Sequence, residues 1–412
     1  MNEPLAQLAE LMATRRSGWS LPGAFYAEAD VYRAEMNAIW RRQWLFAGHA
    51  CQIPEVGDFF VVQVDTDSVI VIRGDDGVVR AMHNVCRHRG TQICGEESGH
   101  AKKLVCPYHQ WTYGTDGSLQ YYRGMQEDLN KDDLGLIPVH LRTIEGMIYI
   151  CLSDSPPDFA KAFELMTPMA RPQGLATAKI AKIVDYEIEA NWKLVWENNR
   201  ECYHCNAHHP QYIRANYDHY NEDDTTDAIR AKIECAVERG EKKWSAAGLT
   251  ISHKQTGMAC FPDHDIWYSA NRTALADGYV SESMDGQQVS TLMGDYPDPE
   301  VGTLRMRTMP NMWIHASCDH AVSTRLLPAG LGKTRARVAW LVDKSAVEGK
   351  DYQLDRLMPF WQLTSEQDWD ICRVAQLGVC SGGYRPGPFS TYKEYNVDAF
   401  VRWYLKSLSN PV

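Results

Sequence analysis

The sequence lacks the features that would place it in a membrane, on nucleic acid or outside the cell. Its 412 residues contain no apolar run near the roughly 20 residues that a membrane-spanning helix needs. Lys and Arg form no block, and a formal net charge of -11 offers nucleic acid no attractive surface. No basic segment followed by an apolar block marks a secretory signal. We therefore expect a cytoplasmic protein without nucleic-acid or membrane partners.

The sequence also shows neither the pattern of a disulfide framework nor that of a nucleotide-binding loop. The 12 cysteines are scattered along a chain without a secretory signal, which favours reduced thiols and metal ligation over a disulfide framework. Cys202 and Cys205 form a single C-x-x-C pair without a thioredoxin-like setting, so we expect them to be packing residues. The chain also has no glycine-rich nucleotide fingerprint after a strand, and reducing equivalents are therefore expected from a separate reductase.

The pattern of apolar residues divides the chain into three parts. Helical spacing predicts helices within residues 1–40. From residue 41 to about 155, short alternating segments joined by turns such as Gly74–Gly77 predict a compact all-β domain. After a proline-containing stretch, residues 156–412 mix strand and helix patterns, which predict an antiparallel sheet flanked by helices. The expected fold class is α+β.

Two short motifs combine cysteine with histidine. The segments Cys86–His88 and Cys106–His109 read C-x-H and C-x-x-H and are separated by 17 residues. Two thiolates and two imidazoles are the ligand set of a Rieske [2Fe-2S] cluster, in which histidines replace cysteines on one iron. The alternative is a zinc site, but zinc motifs usually pair Cys with Cys and His with His along the chain. The motifs favour a Rieske cluster held by Cys86, His88, Cys106 and His109.

A second polar cluster, Asn191–Pro210, places histidines and carboxylates within a helical pattern. Two His and one carboxylate on one face of Fe(II) leave open positions for O2 and substrate. His204 is the first candidate ligand, and the second is His208 or His209. Helical periodicity alone favours His208, because residues i and i+4 share a face. A buried helix whose polar residues are paired by hydrogen bonds would give the same pattern. Periodicity therefore leaves open both the choice between an iron site and such a helix and the choice between His208 and His209.

With these motifs in place, the chain resembles the α subunit of a Rieske non-haem iron oxygenase over essentially its whole length. The resemblance implies H-x4-H spacing of the iron histidines, hence His204 and His209, with a distorted helix between them. Its third ligand heads a segment like D-x2-L-C-x3-Q, which here begins at Asp368. Glu366 and Asp370 are the nearby alternatives.

The resemblance also implies how the chain is organised. Residues 1–40 would be helices packing on the catalytic domain, residues 41–155 the Rieske domain and residues 156–412 the catalytic non-haem iron domain. The implied cofactors are the [2Fe-2S] cluster and a mononuclear Fe(II). Electrons would come from NAD(P)H through a separate flavin or iron–sulfur reductase, and the oxygenase would be a homotrimer.

Glu201, three residues before His204, occupies the position that in this family joins an iron histidine to a Rieske histidine of the neighbouring subunit. Ring-hydroxylating dioxygenases usually have Asp there, whereas Glu resembles the branch that oxidises choline, carnitine, glycine betaine and stachydrine. The resemblance therefore implies oxidative N-demethylation of stachydrine or glycine betaine, with release of formaldehyde. The alternatives are an aromatic ring-hydroxylating dioxygenase and a Rieske electron-transfer protein without oxygenase activity. The latter would need only about 100 residues.

A quaternary ammonium substrate would need aromatic faces, because cation-π attraction is worth about 0.5–2 kcal/mol per ring. Five aromatics are available in the expected catalytic domain: Trp267, Tyr268, Trp313, Phe389 and Tyr392. The sequence cannot choose among them, and most are expected to be core residues.

Overall fold

The computed structural model describes residues 3–126, 128–217, 226–250 and 267–409. The chain divides into two units, of which the smaller is Arg41–Pro157 and the larger combines Met1–Trp40 with Asp158–Val412. Each unit contains antiparallel sheet, and the α-helices of the described residues belong to the larger unit. The predicted α+β class is therefore confirmed.

The smaller unit is built from two sheets. Its strands are β1 (Leu45–His49), β2 (Asp58–Val64), β3 (Asp67–Arg73), β4 (Val79–His83), β5 (Ser98–His100), β6 (Leu104–Val105), β7 (Thr112–Tyr113), β8 (Leu119–Tyr121), β9 (Pro138–Ile144) and β10 (Met147–Cys151). Seven strands pair in the order β1-β10-β9-β4-β3-β2-β5, and β6, β7 and β8 form a small second sheet. The predicted turn joins β3 to β4, and Gly77 there has φ +78°, a conformation that costs residues with a Cβ atom.

A buried apolar cluster in this unit surrounds the cysteines of the two predicted cluster motifs. Its members come from the strands and from the loops that carry the motifs: Phe59, Ile70, Ile72, Met82, Ile93, Leu104, Trp111, Tyr113, Leu119 and Leu136. Close packing of this kind holds loops in fixed positions, because small shifts lose many favourable contacts. The loops of the two motifs are thus anchored on a rigid base.

The larger unit contains one six-stranded antiparallel sheet. Its strands are β11 (Lys179–Ile188), β12 (Tyr268–Thr273), β13 (Thr303–Thr308), β14 (Met312–Ala316), β15 (His320–Pro328) and β16 (Thr334–Val342). They pair in the order β11-β16-β15-β14-β13-β12. Every residue of β12 to β15 is buried, including polar and charged ones, which means that both faces of this part of the sheet are covered.

The described part of the larger unit also contains α-helices. They are α1 (Glu3–Ala13), α2 (Ala24–Ala27), α3 (Ala29–Glu35), α4 (Ala160–Ala170), α5 (Trp192–Asn199), α6 (Cys205–His208), α7 (Pro210–Ala215), α8 (Asp227–Ala246), α9 (Leu354–Leu357), α10 (Pro359–Val379) and α11 (Tyr395–Ser409). Among the described residues, no helix combines the length and the apolar character required to cross a bilayer.

A buried ion pair connects α3 to α5. The ammonium group of Lys193 lies 2.5 Å from a carboxylate oxygen of Glu35, and both side chains are fully buried. Tyr404 of α11 and Trp192 of α5 donate hydrogen bonds to the same carboxylate, at 2.6 and 2.8 Å. Because a buried charge is costly without partners, this network fixes the start of α5, and α5 leads directly to Glu201 and His204.

Candidate metal centres

The two predicted cluster motifs lie on separate loops of the smaller unit. Cys86 and His88 follow β4, while Cys106 and His109 lie between β6 and β7. Both cysteines are buried, with 2% and 1% of their surface exposed. The imidazole rings of the two histidines approach each other, with centroids 4.6 Å apart. The structure thus brings together the four residues that the motifs single out.

The surroundings of these residues suit an iron–sulfur cluster. The Tyr113 hydroxyl lies 3.3 Å from the Cys86 sulfur, and it accepts a hydrogen bond from the backbone N–H of Arg87 at 3.1 Å. The His88 ring stacks on Trp111. Its Nδ1 atom is buried and has no hydrogen-bond partner among the described residues. Since buried polar atoms are nearly always paired, an unpartnered imidazole nitrogen beside two buried thiols is suited to a metal.

Three ligand atoms converge in the larger unit. The Nε2 atoms of His204 and His209 are 3.1 Å apart. One carboxylate oxygen of Asp368 lies 3.2 Å from the first nitrogen and 3.0 Å from the second. Adjacent ligands of an octahedral ion with bonds of about 2.1 Å are separated by about 3.0 Å. The three atoms therefore have the spacing of one octahedral face, the arrangement of a 2-His-1-carboxylate iron site.

The choice between His208 and His209 follows from a break in the helical pattern. α5 ends at Asn199, and α6 contains only one turn. His209 leaves the helical conformation, with φ -123° and ψ 67°, and Pro210 then begins α7. His208 is exposed, and its ring donates to the carbonyl of His204. The expectation from uniform helical periodicity was thus wrong, because the histidines do not lie on one continuous helix.

The three acidic candidates on α10 differ in exposure and in the groups that they contact. Asp368 points to the two histidines. Glu366 is exposed and accepts a hydrogen bond from the Tyr186 hydroxyl at 3.3 Å. Asp370 is exposed and lies 3.5 Å from Arg373, one turn further along the helix. Only Asp368 among these three is placed to share a metal with the histidines.

Both histidine rings are oriented through their second nitrogen. Nδ1 of His209 lies 2.8 Å from the side-chain oxygen of Gln367, and Nδ1 of His204 contacts a carboxylate oxygen of Glu201. The other oxygen of Glu201 accepts hydrogen bonds from the backbone N–H groups of Tyr203 and His204. Such partners fix the ring orientation and the tautomer of a metal-binding histidine.

The charges around His204, His209 and Asp368 favour the binding of a cation. Burial lowers the pKa of His204, but hydrogen bonds to Asp368 and Glu201 outweigh burial and raise the pKa to about 10. Burial raises the pKa of Asp368, yet the hydrogen bonds to both histidines bring it below its usual value. The site thus holds positive charge next to carboxylates, and a divalent ion can take the place of the proton.

Cys202 and Cys205 do not pack as separate thiols. The structure joins them in a disulfide, with their Cα atoms 5.0 Å apart. The expectation of two reduced packing residues was wrong. The chain turns sharply between α5 and α6, and this turn brings positions i and i+3 within the distance range of a disulfide.

A cavity opens onto the three ligand atoms. Its volume is about 40 Å³. Besides the ligands, its walls contain Asn198, Asn199, Glu201, Cys202, Cys205, Tyr212, Arg307, His315, Trp361 and Thr364. None of the five aromatics considered from the sequence is among these wall residues, whereas Tyr212 and Trp361 are.

Several of these wall residues were not identified from the sequence, although the spacing of some of them along helices could have revealed them. Tyr212 follows His209 by three residues on α7, and Trp361 and Thr364 precede Asp368 by seven and four residues on α10. Helical spacing from the proposed ligands would have found all three.

Two wall residues of the sheet had no such signal. Arg307 and His315 reach the cavity through the pairing of β13 with β14, which the sequence does not reveal. The His315 ring lies 4.2 Å from that of Trp361. Burial, followed by the charges of Arg305 and Arg307, brings the pKa of His315 well below its ordinary value. This imidazole is therefore neutral at pH 7.

Comparison with known proteins agrees with this geometry. Residues 175–410 match the family described as ring hydroxylating alpha subunit (catalytic domain), and residues 43–140 match the Rieske [2Fe-2S] domain. The chain belongs to the Rieske oxygenase alpha-subunit family. Its cofactors are therefore a Rieske cluster and a mononuclear iron, and members of this family act with O2 and a separate reductase. The predicted family is confirmed, and a zinc-stabilised module or an isolated electron carrier is excluded.

Two relatives of this Rieske oxygenase are similar over nearly their whole length. The glycine betaine monooxygenase oxygenase subunit of Chromohalobacter salexigens is 37% identical, covering 99% of this chain and 91% of that protein. Its counterpart in Pseudomonas aeruginosa is 36% identical, covering 98% and 92%. Among solved structures, the quaternary ammonium Rieske monooxygenase CntA in complex with L-carnitine aligns with a TM-score of 0.69. At 20% identity over 96% of this chain and 97% of CntA, that likeness supports the fold.

Proposed function

We propose that this oxygenase hydroxylates an N-methyl group of a betaine-type quaternary ammonium compound, glycine betaine or stachydrine. The observation that carries the proposal is the convergence of His204, His209 and Asp368 on a cavity with aromatic walls. The full-length similarity to two glycine betaine monooxygenase oxygenase subunits favours this substrate class over an arene.

In this proposal His204, His209 and Asp368 hold the mononuclear Fe(II), and Cys86, His88, Cys106 and His109 hold the cluster. When bound there, the iron would supply, with electrons from the cluster, an O2-derived oxidant strong enough to attack a C–H bond. Glu201 and Gln367 keep the two imidazoles in the orientation that directs Nε2 to the metal.

The cavity walls suit a cation that cannot form hydrogen bonds through its nitrogen. A quaternary nitrogen has no lone pair and no N–H, so attraction to it must come from charge and from aromatic faces. Tyr212 and Trp361, whose ring centroids are 6.0 Å apart, present such faces beside the ligand atoms. The carboxylate of Glu201 adds negative charge at the same wall.

The products follow from ordinary amine chemistry. Hydroxylation of one N-methyl group gives a carbinolamine, which breaks its C–N bond to release formaldehyde, a proton and the demethylated tertiary amine. The wall residues hold the trimethylammonium end beside the iron. For glycine betaine the second product is dimethylglycine.

The route of the electrons defines the role proposed for Glu201. Its contact with His204 is one half of a bridge, and the other half would be His109 of a neighbouring subunit in a homotrimer. NAD(P)H would be the electron source through a flavin or iron–sulfur reductase. Cytoplasmic location remains a prediction of the sequence.

Steady-state formaldehyde formation tests this substrate class. The holoenzyme is assayed with a reductase and NADH, with glycine betaine, stachydrine, carnitine, choline and naphthalene offered separately. We expect formaldehyde and one demethylated amine in equal amounts from a betaine. A cis-diol from naphthalene, without turnover of any ammonium compound, would show that the chain is a ring-hydroxylating dioxygenase instead.

A further inference from the structure

Cys202 and Cys205 enclose a proposed iron ligand within their disulfide. The bonded pair spans only Tyr203 and His204. Both cysteines are buried, with 4% and 3% exposed, and both line the cavity that holds the ligand atoms. The pair is therefore in contact with the space where O2 and substrate meet the iron.

A purely structural role does not account for this bond. A disulfide stabilises a fold mainly by closing a long loop, and the loop closed here is four residues long. None of the other nine described cysteines forms a disulfide: Cys86 and Cys106 are the proposed cluster ligands, and the remaining seven are free, as expected for a chain in a reducing compartment. Disulfides that form in such compartments are usually catalytic or redox-sensing. This pair is thus singled out by its position next to the metal site.

The sulfur of Cys205 lies within reach of the metal. Its Sγ atom and one ring nitrogen each of His204 and His209 are all within 4.8 Å of one another. A free thiol at this position can become a fourth protein ligand, and sulfur favours softer ions such as zinc over Fe(II). In the disulfide the same sulfur is bonded to Cys202 and is a far weaker donor.

We propose that Cys202 and Cys205 form a reversible dithiol–disulfide couple whose oxidised state withholds the Cys205 sulfur from the mononuclear metal. The inference rests on the ligand set proposed above. Reduction releases the sulfur to ligate the metal, and this closes a coordination position that O2 or substrate needs. Oxidation restores the site with two histidines and one carboxylate.

Hydrogen peroxide, the two-electron reduction product of O2, is the oxidant in this proposal. One thiol loses its proton as its sulfur attacks a peroxide oxygen, the O–O bond breaks, and the leaving oxygen takes up that proton, so a sulfenic acid and water result. The second thiol then displaces the sulfenic oxygen as a second water and forms the S–S bond. Two thiols thus lose two electrons and two protons, and one peroxide becomes two waters. A dithiol reductant reverses the step by thiol–disulfide exchange.

The test measures metal–sulfur bonding in the holoenzyme with its cluster in place and its mononuclear iron replaced by cobalt(II). X-ray absorption at the cobalt edge reports only this metal, so the cluster does not interfere. Alkylation followed by mass spectrometry counts free thiols in the peptide that contains both cysteines. Cys202→Ser leaves the second thiol permanently free, Cys205→Ser removes it, and Cys235→Ser, on an exposed residue of α8, is the matched control.

We expect one sulfur neighbour of cobalt in the reduced wild-type protein and in Cys202→Ser with or without reductant. We expect none in peroxide-treated wild type or in Cys205→Ser, while Cys235→Ser should behave like wild type. The proposed dithiol–disulfide couple would be refuted by two alkylated thiols after peroxide treatment. It would also be refuted by a cobalt site without sulfur in both the reduced wild type and Cys202→Ser. If cobalt binds neither redox state of the wild type, the ligand set itself is wrong, whereas substrate identity is judged separately by formaldehyde formation.

Discussion

The buried pair of Glu35 and Lys193 provides a quantitative test of how the catalytic unit supports its iron site. Both side chains have no exposed surface. Burial lowers the pKa of Lys193, although the charge of Glu35 acts in the opposite direction. Replacing Lys193 by Met removes the cation and leaves the carboxylate in a low-dielectric environment, a change that typically costs about 3–5 kcal/mol.

The structure places the expected loss at the lower end of that range. Tyr404 and Trp192 still donate hydrogen bonds to Glu35 in the Lys193→Met variant, so the carboxylate keeps part of its stabilisation. We expect a loss of about 3 kcal/mol in the free energy of unfolding. Adding Glu35→Leu removes the uncompensated charge, and the double variant should recover about 1–2 kcal/mol of that loss.

Urea unfolding measures this effect. Tryptophan fluorescence reports mainly on the larger unit, which contains all of the 13 tryptophans except Trp44 and Trp111. The visible circular dichroism of the cluster follows the smaller unit as an internal reference. The matched control is Lys333→Met, because Lys333 forms a half-exposed pair with Glu189 at 3.0 Å. Surface pairs are worth about 0–1 kcal/mol, so this variant should change little. A Lys193→Met variant that loses less than about 1 kcal/mol, like the control, would refute the reasoning.

Two further predictions concern the iron site, and a third concerns the buried carboxyl group of Glu197. The Asp368→Ala variant should lose the mononuclear iron while keeping the absorbance of the cluster, and the control variant Asp370→Ala should keep both. If metal analysis shows that Asp368→Ala retains the mononuclear iron, the proposed ligand set of His204, His209 and Asp368 is contradicted. The Trp361→Leu variant should raise KM for a betaine several-fold with a smaller change in kcat, both measured by formaldehyde release. An unchanged KM would show that the Trp361 ring does not contact the substrate. Burial raises the pKa of Glu197 to about 7, although its hydrogen bond with Tyr26 acts in the opposite direction. The folded state thus holds a proton that the unfolded chain releases near pH 4.5. About 3 kcal/mol of stability is therefore fully present below about pH 4.5, is lost progressively between about pH 4.5 and 7, and stays lost at higher pH. Unfolding of Glu197→Gln between pH 5 and 8 should lack this slope, and an unchanged slope would rule Glu197 out as its source.

Short motifs in the sequence are enough to nominate some of the candidate ligands, and other candidates need more information. Cys86, His88, Cys106 and His109 follow from spacing alone, since few other chemistries need those residue types in that order. His209 and Asp368 needed the family resemblance. Periodicity assumes an uninterrupted helix, and here the helix is interrupted before His204 and again at His209.

The cavity wall and the disulfide could not be predicted for two physical reasons. Arg307 and His315 become neighbours of the proposed iron ligands only through strand pairing and the packing of α10. Cys202 and Cys205 approach each other because the chain turns between two short helices, and that turn has no strong signal in the sequence.

The most direct test of the central claim is a single turnover with glycine betaine that carries deuterium in all three N-methyl groups. The protein is loaded with iron, its cluster is chemically reduced, and O2 is admitted without a reductase. We predict dideuterated formaldehyde and dimethylglycine in equal amounts, up to one of each per mononuclear iron. Intact glycine betaine after oxidation of the cluster and consumption of O2, with stachydrine equally untouched, would contradict the proposal that this site demethylates betaines.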